Sequence, residues 1–94
     1  MLPDSKTLAE QHAQAQKTLV DFLQADLDLC FTMLNTAQIS SDPEHILSAL
    51  RHVTDGLLTV QRLAGGIEDQ KAWKIVHERA EELDKKLESV RGSN

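Results

Sequence analysis

Val20-Asp21-Phe22-Leu23-Gln24-Ala25-Asp26-Leu27-Asp28-Leu29-Cys30-Phe31-Thr32-Met33-Leu34-Asn35-Thr36-Ala37 is the stretch that decides the fold. Its residues Val20, Leu23, Leu27, Cys30, Leu34 and Ala37 follow one another in steps of three, four, three, four and three. Such steps return to one face of an α-helix, whereas a half-buried strand repeats every second residue. A second row, Leu8, Ala15, Leu19, Phe22, Leu29 and Met33, runs beside the first. Together the two rows form an apolar face wide enough to touch two neighbours. Asp21, Gln24, Asp28, Thr32 and Asn35 fall on the opposite, wet side.

Outward from this core, the helix reaches back to Asp4 or Ser5, either of which can accept a hydrogen bond from the first turn as N-cap. It ends near Ile39, before Ser40-Ser41-Asp42-Pro43. Asp42 and Pro43 open a second helix, because proline lacks the N–H that would be unpaired at that position. Its seam is Ile46, Leu50, Val53, Leu57, Val60 and Ala64, widened by Leu47 and Leu58. Gly65-Gly66 stops it, with Gly65 expected in the left-handed conformation. A third seam of Trp73, Val76, Ala80, Leu83, Leu87 and Val90 follows, with Trp73 expected in the core. Glu81–Lys85 and Glu82–Lys86 have the favourable order for pairs four apart.

Two short connections leave no room for crossovers, so consecutive helices must be neighbours. The sequence therefore predicts one all-α domain over residues 1–94, an antiparallel three-helix bundle with helices about 5–38, 43–64 and 67–91. The first helix is longer than its partners. It is either continuous or broken near Lys17, and its Ala- and Gln-rich N-terminal third overhangs the Gly65-Gly66 turn as an extension over about residues 1–16.

Composition narrows the function. Ninety-four residues bury a thin core, which leaves little room for an enclosed pocket. The net charge of -5, with one Trp, two Phe and no Tyr, excludes the basic, stacking footprint of a nucleic-acid binder. No apolar run approaches the roughly 20 residues of a membrane span, and the start lacks the basic-then-apolar pattern of a secretory signal. These features predict a cytoplasmic protein bound to neither membrane nor nucleic acid. The single Cys30, between Leu29 and Phe31, is expected as a buried, reduced thiol.

Histidine carries the residual chemistry. In the antiparallel topology His52, His77 and Asp26 come to similar heights, and two imidazoles with a carboxylate are a ligand set for Zn²⁺. No helix carries two histidines four apart or a Glu-x-x-His, so hydrogen-bonded surface histidines remain the ordinary reading. His52-Val53-Thr54-Asp55-Gly56 is similar to histidine phosphotransfer domains in having Gly four residues after His. Those domains place Lys before that Gly, where this chain has Asp55, and they use four core helices. The plainer role for Gly56 is a notch, with Ala49, His52 and Thr59, that lets another helix come close.

No carboxylate pair, nucleophile triad or phosphate-binding loop is spaced for catalysis, and no cofactor is implied. The leading expectation is a non-enzymatic interaction or assembly module, as a homodimer or with another helical protein. Its interface is assigned to Leu8, Leu19, Phe22, Leu29 and Met33, the apolar surplus of helix one, with Leu58 and Ile75 secondary. The alternative is phosphotransfer or metal binding through His52.

Overall fold

The three seams become three helices that all pack on one another. In the computed structural model, which describes residues 5–92, they are α1 (Ser5–Ile39), α2 (Pro43–Ala64) and α3 (Gln70–Gly92). Asp4 and the side chain of Ser5, the expected caps of α1, lie outside the described residues. Leu23, Leu27, Cys30 and Leu34 of α1 are fully buried. They share one cluster with Val53, Leu57 and Val60 of α2 and Val76, Leu83 and Leu87 of α3. Each buried leucine contributes about 1.5–3 kcal/mol, so this interior is the main source of stability.

The start of α2 follows local chemistry. Asp42 Oδ1 accepts from the Glu44 backbone N–H at 3.1 Å, and Pro43 occupies the first turn. Its end departs from expectation. Gly65 stays right-handed, at φ -61° and ψ -18°, and no described glycine has a positive φ. The chain leaves the helix through two bonds that reach back three residues, Gly66 N–H to Leu63 O and Ile67 N–H to Ala64 O, both 3.0 Å. A Cβ at Gly66 would come only into ordinary contact, 3.4 Å from Leu19 Cδ2 and 3.4 Å from Leu63 O.

Helix α3 begins at Gln70, three residues later than its seam suggests. Residues 67–69 cross the end of the bundle and bury Ile67 there. Asp69 then caps the helix, its Oδ2 accepting from Ala72 N–H and its carbonyl from Trp73 N–H, both at 2.9 Å. The cap turns Ala72 toward the core and Trp73 outward. Trp73 is 40% exposed, so its expected place in the seam is corrected.

Polar residues of α1 that the pattern assigns to water instead meet α3. The Arg79 guanidinium donates to Gln24 Oε1 and, at 2.6 Å, to Asp28 Oδ1. It lies 5.5 Å from the centre of the Phe31 ring, and Lys86 lies 5.9 Å from the same ring while donating to Asn35. The pairs expected four apart, Glu81–Lys85 and Glu82–Lys86, do not form among the described residues: Lys86 is turned to Asn35 and Phe31 of α1, and Glu81 pairs with His77 at 3.0 Å.

Helix α1 is continuous, with no break near Lys17. One residue earlier, Gln16 holds the turn with both ends of its amide. Its Nε2 donates to Gly66 O at 3.0 Å, and its Oε1 accepts from Glu68 N–H at 2.9 Å. His12 contacts the Glu68 carboxylate. The part of α1 beyond the bundle is therefore residues 5–11, about 10 Å of helix. No described helix is long and apolar enough to cross a membrane.

Candidate functional site

Two surfaces and one buried contact hold the residues singled out by sequence. The first surface is the outer face of α1. Leu8, Phe22 and Leu29 are 53%, 53% and 50% exposed. Leu19 and Met33 are drawn inward and pack against the core, because α2 approaches on their side of the helix. The same face holds residues that the apolar count passed over. Leu8, Ala15, Phe22, Leu29 and Thr36 recur every seven residues, and Gln11, Thr18, Ala25, Thr32 and Ile39 lie three after each. All ten are exposed and none is charged, in a chain where 27% of residues are. Thr32 Oγ1 donates to Asp28 O and Thr36 Oγ1 to Thr32 O, both at 3.0 Å. Those hydroxyls are satisfied within the helix. This outer seam has the same seven-residue period as the buried one, so it keeps to one flank of α1 along its length.

The second surface surrounds Trp73. Its ring stacks on His77 with centroids 4.6 Å apart and planes 9° from parallel. With Ile67, Gln70 and Lys74 they line an open depression of about 650 Å³. Its walls come from α3 and the preceding turn alone, so no second helix closes over it.

The expected histidine cluster does not assemble. Asp26 and Cys30 lie at the height of Gly56, while Arg79 meets Gln24 and Asp28. These contacts place His52 level with about residue 32 of α1 and His77 level with about residue 25, roughly 10 Å apart along the bundle. Loop length, which sequence does not reveal as a geometry, shifts the register from the expected one. Among the described residues no three His, Cys, Asp or Glu side chains converge as metal ligands. His52 is exposed on α2, and His77 is held by Glu81 and Trp73.

Gly56 faces inward against α1. A Cβ on it would stand 2.7 Å from Cys30 Sγ, so only glycine admits α1 at this distance. The notch is filled by the chain's own first helix. Cys30 is fully buried, and burial, with Asp26 nearby, pushes its thiol up from 9.0 to about 11. A thiol held neutral in this way is a poor nucleophile.

Comparison with known proteins adds no relative: no family model, no curated protein and no solved structure matches this chain.

Proposed function

We propose that this protein is a non-enzymatic assembly module that pairs with a second helix through the outer face of α1, forming a homodimer. The observation that carries this reading is the uncharged seam on α1, where Leu8, Phe22 and Leu29 stand about half exposed. Apolar side chains aligned along one helix gain about 25 cal/mol for each Å² removed from water, and a facing helix is the shape that covers such a line. The acidic net charge of -5 favours a protein partner over nucleic acid. The lone buried thiol suits a reducing compartment, and we place the protein in the cytoplasm.

Light scattering across a concentration series tests the reading. The wild-type protein is expected to pass from monomer to dimer as concentration rises, with no response to added Zn²⁺. Phe22→Glu is expected to remain a folded monomer, because an exposed substitution leaves the core intact. A wild-type protein that stays monomeric at every concentration refutes self-assembly. A dimer that persists in Phe22→Glu refutes this face as its interface.

A further inference from the structure

We infer that the helix seated on α1 is α1 of a second copy, running antiparallel, with the two-fold axis midway between Phe22 and Ala25. This rests on the assembly reading above and specifies its partner and register. Antiparallel pairing about that axis sets each member of the Leu8 row against a member of the Gln11 row. Phe22 then faces Ala25 of the second copy, Leu29 faces Thr18, and Leu8 faces Ile39. Every large side chain meets a small one, except at the ends, where Leu8 and the 87%-exposed Ile39 cover each other. Knobs-into-holes packing needs this alternation to reach interior density without crowding.

Other pairings fit less well. A parallel pair sets Phe22 on Phe22 and Ala25 on Ala25, so one layer is crowded while the next is hollow. A slip of one heptad either way leaves Leu8 or Ile39 without a facing residue. The axis lies close to the midpoint of α1, so nearly the whole helix is covered. Residues 5–11, which project beyond the bundle, acquire a neighbour in the end of α1 that carries Ile39.

Charge along the edge of the seam is balanced within each copy rather than complementary between copies. Along one edge Asp21 comes beside Asp28 of the second copy. Asp28 already holds Arg79 at 2.6 Å, and Asp21 holds Lys17 at 3.8 Å. Two bases therefore accompany the two acids, and the edge is neutral. The seam spans about 46 Å of helix, and a contact about 10 Å wide covers roughly 900 Å² over both copies. That lies just under the roughly 1,000 Å² of a specific interface, so the dimer is reversible and concentration-dependent.

Disulfide trapping reads the register. Ala15 faces Thr32 of the second copy, both are exposed, and within one chain the two are about 25 Å apart, too far to bridge. The double variant Ala15→Cys/Thr32→Cys is expected to give a covalent dimer under mild oxidation, while each single variant gives none. Cys30 stays out of the reaction because it is fully buried. A second arm mixes Thr18→Lys with Leu29→Glu: each alone is expected to be monomeric, and the mixture to recover the dimer mass. Crosslinking of Ala15→Cys alone shows a parallel pair and overturns the inference. A wild-type dimer with neither trapping nor charge rescue overturns the register but leaves assembly standing. A wild-type monomer at all concentrations removes both.

Discussion

Replacing Gly56 by Ala tests how closely α1 and α2 approach. The added Cβ would stand 2.7 Å from Cys30 Sγ, well inside van der Waals contact. Cys30 is fully buried and its sulfur turns about one bond, so it has little room to move aside. Overpacking of this kind costs typically about 1–3 kcal/mol. Against it, alanine is favoured over glycine inside a helix by about 0.8–1 kcal/mol. The net expectation is a loss of roughly 0–2 kcal/mol, and for a chain of this size each kcal/mol lowers Tm by about 4–8 °C. The sign should reverse in a Cys30→Ala background, where the sulfur is gone and the propensity gain remains. Urea unfolding of wild type, both single variants and the double variant closes this cycle. The expected coupling is about 1–3 kcal/mol in favour of the double variant. If Gly56→Ala stabilises the wild-type protein, or if the two effects simply add, the close contact is not what glycine serves there.

Cys30 also gives the protein a dependence on alkaline pH. Its folded thiol titrates near 11 and its unfolded one near 9.0. Above pH 9 the unfolded chain loses a proton that the folded chain keeps, so the contribution is complete below pH 9 and disappears between 9 and 11. It amounts to at most about 2–3 kcal/mol, read as the difference in denaturation slope between wild type and Cys30→Ala. Gln16→Ala removes both bonds that hold the 66–68 turn; hydrogen exchange at the Glu68 amide should accelerate several-fold, while global stability falls by no more than about 1 kcal/mol. Asp69→Ala deletes the cap of α3 and should cost about 1 kcal/mol in chemical denaturation, whereas Asp69→Asn should cost little.

Much of this architecture is legible from local pattern. The three buried seams, the Asp42-Pro43 start of α2 and the burial of Cys30 all follow from spacing and from caps that act within four residues. The candidate site was half legible. Leu8, Phe22 and Leu29 stand out as apolar surplus, but their uncharged companions Thr18, Ala25 and Thr32 are too small or polar to register in an apolar count. They become visible once the outward side of α1 is known. Leu19 and Met33 belong to the same stripe by spacing, yet pack inward because α2 lies on their flank.

Helix number, the face of each helix that enters the core, and the order of the elements were determined by the sequence alone, since periodicity and capping are properties of neighbouring residues. The tertiary structure decided what depends on the relation between helices. It delayed α3 until Asp69 and turned Trp73 outward, because Ile67 already fills that end of the core. It set Gly56 against Cys30, Gln16 across the 66–68 turn and Arg79 onto Asp28, contacts between residues 26 to 52 positions apart. Their partners are chosen by register and by which flank each helix presents, and that information exists only after the helices have met.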